Sequence, residues 1–144
     1  GMQGDCNWGR VLAQCENQIW TTDGECWARM PAAPWKPRRS LAACVDSQGR
    51  LLVFGGQDER AAFLCDAWAY KDSKWTPLPD GPWRHCVPDC AVGTECGAMV
   101  LAGRQLLELK DEWSSVSQMP EDKRATSCTC IGADLYVGTY DSSV

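Results

Sequence analysis

The chain has 144 residues, 44% of them apolar and 23% charged, with 14 basic against 19 acidic side chains for a net charge of −5. This balance is ordinary for about one globular domain and excludes disorder, collagen and coiled coil. The basic residues are scattered apart from Lys36, Arg38 and Arg39, so duplex binding by phosphate neutralisation is not expected. The longest apolar stretches, residues 51–54 and 97–103, fall far short of the roughly 20 residues of a membrane helix. No transmembrane segment or signal peptide is expected, which leaves open a peripheral place on a membrane complex. The unusual number is eight tryptophans against two phenylalanines.

Taken in chain order, the elements repeat. Residues 19–31 (IWTTDGECWARMP), 67–79 (AWAYKDSKWTPLP) and 106–120 (LLELKDEWSSVSQMP) align on Trp27, Trp75 and Trp113. Each anchor is preceded by an apolar residue at a fixed offset (Trp20, Trp68, Leu106) and by a polar turn, which predicts two strands joined as a hairpin. After each anchor come a proline (Pro31, Pro79, Pro120) and a basic residue (Arg39, Arg84, Arg124). A Cys- and Ala-rich strand follows at 41–45, 86–92 and 126–131, then a turn and a more apolar strand at 50–56, 97–103 and 134–140. No helix-period stretch intervenes. The predicted class is all-β, in units of four short antiparallel strands.

This pattern resembles the kelch repeat, the blade of kelch β-propellers. The residues that carry the resemblance are Gly55-Gly56 ending the second strand, Tyr70 on the third and Trp75 opening the fourth. Residues 1–34 read as a partial blade, 35–79 as a complete one, 80–120 as a degenerate one with Ala102-Gly103 in place of the double glycine, and 121–144 as a half blade. Trp8-Gly9 stands where Gly55-Gly56 stands later. About three blade equivalents are too few to close a ring that typically needs 4–8. The expected architecture is therefore an incomplete ring, either an open arc or part of a larger propeller. Repeat units that cannot cover their own faces need neighbours, so other protein subunits or a second copy are expected to complete it.

The glycines are expected to permit a close approach that a Cβ would block. Trp20, Trp27, Trp68, Trp75 and Trp113 are expected as core between adjacent sheets. Trp35 and Trp83 sit in matching linkers, APWKPRR and GPWRH, and are read as candidates for exposed partner contact; the alternative is that they cover the end of the core.

Ten cysteines leave two readings open: disulfides across neighbouring strands, or small buried apolar residues. The absence of an Asn-x-Ser/Thr acceptor favours a cytosolic or organellar place over secretion. The spacing of Cys86, Cys90 and Cys96 does not match a zinc site. With one histidine, His85, a Ser-His-Asp or Cys-His arrangement has little to draw on, and no cofactor or metal is expected. The acidic pairs Asp58-Glu59, Asp111-Glu112 and Glu121-Asp122 fall in expected loops as solvated carboxylates, and Asp58 and Glu59 are candidate partner contacts; the alternative is a carboxylate pair acting on a sugar. Arg39, Arg84 and Arg124 at the starts of the inner strands are candidates for recognising an acidic peptide or carboxylate. The resemblance implies a non-catalytic interaction or scaffold module, with partner contacts on loops 35–39, 57–62 and 80–85. The rivals are a kelch-type sugar-modifying enzyme, isomerase or mutarotase-like, and a disulfide-bonded extracellular domain.

Overall fold

The computed structural model of the chain describes residues 15–141, which form twelve β-strands in four antiparallel sheets. Cys6 and the Trp8-Gly9 pair expected in the first unit lie outside the described residues. Strands β1 (Trp20–Thr22) and β2 (Trp27–Arg29) make a two-stranded sheet. Strands β3 (Ala42–Val45), β4 (Leu51–Gln57), β5 (Phe63–Lys71) and β6 (Lys74–Leu78) follow as a four-stranded meander in sequential order. Strands β7 (Pro88–Gly93), β8 (Ala98–Ala102), β9 (Gln105–Leu109) and β10 (Trp113–Gln118) repeat that meander. The last sheet pairs β11 (Lys123–Ile131) with β12 (Asp134–Asp141). The last three sheets pack through their first strands, β7 lying beside β3 and β11 beside β7.

Local chemistry explains the turns. The Asp23 carboxylate accepts the N–H groups of Glu25 and Cys26, both at 2.9 Å, and closes the β1–β2 hairpin. Asp46 does the same between β3 and β4, accepting from the N–H groups of Gln48 at 3.0 Å and Arg50 at 2.9 Å. Aspartate serves well here because its short side chain reaches backbone donors two to four residues ahead. The β5–β6 hairpin turns through Asp72 and Ser73, both left-handed with φ of 52° and 64°. Strand β5 starts earlier than the repeat alone indicates, because Phe63 and Leu64 resume pairing with Gln57 and Gly56 beyond a bulge.

Alternation along the central strands buries the β3–β6 sheet on both faces. Leu52 and Phe54 of β4, with Ala67 and Ala69 of β5, face a core completed by Ala98, Val100 and Ala102 of β8 and Leu107 and Leu109 of β9. Leu51, Val53, Trp68 and Trp75 face the other way, onto Ile19, Ala33 and Trp35. A sheet covered on both sides reads as a continuous apolar run, which is why LLVF shows no polar alternation. The alanines on the first face keep that gap narrow, so a few large rings can fill it.

Those rings are not the ones the repeat nominates. Trp35 and Trp83 are each only 4% exposed, whereas Trp20 and Trp27 are 53% and 69% exposed. Of the two readings of the linker tryptophans, exposed contact is therefore corrected and cover for the core holds, while the expectation that Trp20 and Trp27 are core is corrected. The physical reason is pairing. Trp35 meets Trp75 edge to face at 5.6 Å between centroids, and Trp83 meets Trp113 the same way at 5.1 Å. Phe54 joins the second pair at 5.7 Å from Trp113 and 6.4 Å from Trp83. Each linker tryptophan thus plugs a gap between sheets against the tryptophan that opens a fourth strand.

Glycine makes that plug fit. Gly55, with φ of 59°, passes so close to the next unit that a Cβ would sit 2.7 Å from the Pro88 Cδ and 2.9 Å from the Trp83 Nε1. At Gly56, with φ of 111°, a Cβ would sit 2.6 Å from the Arg39 carbonyl oxygen. The double glycine is therefore a point of close approach, as its place in the sequence indicates.

Replacing Trp83 by Ala is expected to destabilise the fold by about 3–5 kcal/mol, while Trp27→Ala changes stability by less than about 0.5 kcal/mol. Gly55→Ala is expected to lower stability by about 2–4 kcal/mol through backbone strain and overpacking. Urea unfolding followed by tryptophan fluorescence measures all three.

Candidate functional site

Of the three loops nominated for partner contact, the structure brings 35–39 and 57–62 together. Lys36 donates to the Asp58 carboxylate at 2.6 Å, and the backbone of Arg39 bridges that of Gln57 with both bonds at 2.9 Å. Asp58 also accepts the N–H groups of Arg60 at 2.9 Å and Ala62 at 3.0 Å, so it closes its own loop as Asp46 closes the β3–β4 turn. The side chain is 4% exposed. Asp58 is therefore a buried loop-closing group, not half of a solvated carboxylate pair, and its neighbour Glu59 alone faces solvent. The hydrogen bond from Lys36, followed by that from the Ala62 N–H, holds the Asp58 carboxyl down at about 2.

Loop 80–85 packs against the start of β5 instead. The Gly81 N–H donates to the Cys65 carbonyl at 2.7 Å, and the Trp83 indole N–H donates to the Leu64 carbonyl at 3.0 Å. Arg84 is spent on this loop, donating to the carbonyls of Gly81 at 2.8 Å and Trp83 at 3.4 Å. Arg124 lies inside β11 opposite Tyr140 and donates to the Lys123 carbonyl at 3.0 Å. Its charge also acts on Asp89, although burial prevails there and raises that carboxyl. The bonds of Arg84 and Arg124 run to their own segments and not to one shared group.

The arginine that organises this end is one the sequence reading passed over. The side chain of Arg38 is fully buried, and its guanidinium makes a bidentate pair with Asp66, Nη2 to Oδ2 at 2.7 Å and Nη1 to Oδ1. It also donates to the carbonyls of Gly55 and Lys36, each at 3.0 Å, and its Cζ lies 4.9 Å from the centroid of the Trp35 ring. One planar cation thus ties the linker, the double-glycine bend, β5 and the plugging tryptophan together, a task for which the fork of arginine is suited. Burial alone would raise Asp66. The bonds from Arg38 and from the Trp68 indole N–H at 2.8 Å outweigh it and hold the carboxyl below the usual range. The available signal was the carboxylate of Asp66 beside the first tryptophan of its hairpin; pattern alone did not say which member of Arg38-Arg39 it would take.

The nine cysteines among the described residues are free thiols. Among those residues, no group of three or more His, Cys, Asp or Glu is arranged to hold a metal ion. Nor, among the described residues, is any helix long and apolar enough to cross a membrane.

Residues 38–82 match the family model of the kelch motif, a match that spans the whole β3–β6 sheet and part of the linker on either side of it. This segment carries a kelch motif. The described residues are all-β, in four antiparallel sheets that do not close into a barrel, consistent with an incomplete kelch-type propeller. No curated protein matches the chain. The kelch motif is in general a protein-interaction module, and in this copy the surface around loops 35–39 and 57–62 exposes Lys36, Arg39, Glu59, Arg60 and Phe63 above the buried Arg38–Asp66 pair.

Arg38→Ala is expected to destabilise the chain by about 2 kcal/mol, less than for a fully buried pair because the Asp66 side chain is 32% exposed. Since Asp58 and Asp66 are both depressed, the stability they add is present above the ordinary carboxylate range and is lost as pH falls through their folded values. Urea midpoints should therefore fall between about pH 5 and pH 2, with a shallower fall in Arg38→Ala.

Proposed function

We propose that the chain is a non-catalytic interaction or scaffold module and works as a component of a larger assembly. The observation that supports this most is the apolar surface left at both ends of the stack. The β1–β2 sheet presents Trp20 and Trp27, and the β11–β12 sheet presents Ile131, Tyr136 and Tyr140, exposed by 65%, 52% and 53%. Large exposed rings in contiguous sheets mark surfaces that another protein covers. The two ends are also complementary in kind. Trp20 and Trp27 occupy the positions that Trp68 and Trp75 hold on β5 and β6, so β1–β2 corresponds to the outer half of a blade. β11–β12 corresponds to the inner half, by its likeness to β3–β4.

A second copy, or another subunit with like strands, would cover both ends by the same packing that holds the internal sheets together. The loop cluster at 35–39 and 57–62 supplies a rigid polar surface next to this, suited to peptide or protein contact. The sugar-modifying alternative draws less support, because Asp58, its best-placed carboxylate, is engaged by Lys36 and its own loop.

Light scattering coupled to size exclusion tests the proposal. The 144-residue chain is expected to run above its 15.9 kDa monomer mass, and Trp27→Ser with Tyr136→Ser is expected to return it toward that mass with the fold intact. A folded monomer at micromolar concentration, with no tendency to associate, would overturn the reading.

A further inference from the structure

The gaps between sheets are not filled alike. Trp35 and Trp83 follow a proline in the linkers before β3 and β7, but the linker before β11 runs Pro120-Glu121 and has no tryptophan to offer. What lies between β7 and β11 instead is sulfur. Cys90 on β7 and Cys128 on β11 face each other across the gap, and their side chains are hydrogen-bonded. Their strand positions match: Cys90 pairs with Leu101 on β8 and Cys128 with Val137 on β12. Cys90 and Cys128 thus stand at one level of their strands, each three pairs before the turn, whereas Cys44 stands one pair before its own.

We propose that Cys90 and Cys128 form a reversible disulfide that staples the β11–β12 sheet to the β7–β10 sheet, with a peroxide as oxidant. The geometry gives the two sulfurs different roles. Cys128 lines an open cleft of about 340 Å³ with Ser127, Thr129, Tyr136, Val137 and Gly138, so a small oxidant can reach it. The thiol of Cys90 donates its hydrogen bond to Cys128, which holds Cys128 below the ordinary thiol range, while the same bond and burial push Cys90 up. Cys128 is therefore the attacking sulfur and Cys90 the resolving one. Cys44 is pushed up to about 12, by burial first and then by Asp46, and stays a protonated bystander.

The step balances as follows. The Cys128 thiolate attacks one peroxide oxygen; the O–O bond breaks, hydroxide leaves and Cys128 becomes a sulfenic acid. The Cys90 sulfur then attacks the Cys128 sulfur, the S–O bond breaks, and the departing hydroxide takes the Cys90 proton and leaves as water. The proton first lost from Cys128 neutralises the other hydroxide. The two sulfurs have lost two electrons to one peroxide, and two waters result. A small dithiol reverses the bond by exchange. The closed staple ties the last sheet to its neighbour at the one gap that lacks an aromatic plug, and it is independent of whatever covers the outer faces.

The test is to treat the folded 144-residue chain with stoichiometric hydrogen peroxide, block the remaining thiols by alkylation, digest without reduction and read linked peptides by mass spectrometry. A Cys90–Cys128 peptide, lighter by two hydrogens than its reduced parts, is expected as the major linked species. It should disappear on dithiothreitol and persist in Cys44→Ser. Tryptic cleavage after Lys123 and Arg124 should slow several-fold on oxidation and recover on reduction. The proposal is overturned if Cys90 and Cys128 both remain alkylatable while the exposed Cys26, Cys96 and Cys130 are oxidised. A dominant link between any other pair overturns it too. Because the decisive measurement uses the unaltered chain, no variant need fold for the outcome to count.

Discussion

The stack of sheets depends on one contact, a linker tryptophan driven edge-first against the tryptophan that opens a fourth strand. Hydrogen bonds hold each meander together, and the few that cross to a neighbouring sheet lie mostly at turns and linkers, such as the Ser47 N–H to the Thr94 carbonyl at 3.4 Å. Between sheets the attraction is the burial of apolar area, and short strands offer little of it apiece. An indole supplies more contact area than any other side chain, and its ring edge sits favourably on the face of a second ring. At the Trp83–Trp113 pair the N–H groups are satisfied as well, each by a backbone carbonyl across the gap: Leu64 for Trp83 and Pro79 for Trp113. Burying so large an amphipathic group without that satisfaction would forfeit much of the gain.

Other features of the sequence follow from that contact. Gly55 must lack a side chain because the Trp83 ring and Pro88 occupy the space a Cβ would take. Ala42, Ala67, Ala69, Ala98 and Ala102 are small because they floor the gap the rings fill. Arg38 is buried because its guanidinium lies over Trp35 while its fork takes Asp66, so the charge and the aromatic plug are fixed together. The polar groups that look like a binding constellation when read along the chain are mostly consumed in holding this framework. Asp46, Asp58 and Asp66 all serve turns or ion pairs, and what they leave outward is a rigid surface with Glu59, Arg60 and Phe63 on it. A framework of this kind suits recognition, since loops fixed from below lose little entropy on binding.

Where the plug is missing, the character of the gap changes. The β11–β12 sheet meets β7 through thiols and small residues, and Ala125 is its one fully buried apolar side chain. At the other end, Trp20 and Trp27 have no ring to meet among the described residues. Among the described residues the stack is thus most firmly joined at its centre and least covered at its outer sheets.

The sequence by itself determined the all-β class, the strand order, the hairpin turns and the demand for glycine at positions 55 and 56. Those are local properties: turn chemistry acts over a few residues, and a repeat fixes what lies opposite what within one sheet. Only the tertiary structure decided which tryptophans are core. Trp27 and Trp75 stand at equivalent places in the pattern, yet one is exposed and the other is packed on Trp35, because burial depends on whether a neighbouring sheet is present. The same holds for Arg38 over Arg39 and for the meeting of Cys90 with Cys128. Each is set by two segments far apart in the chain, and no local pattern of residues encodes which partner arrives.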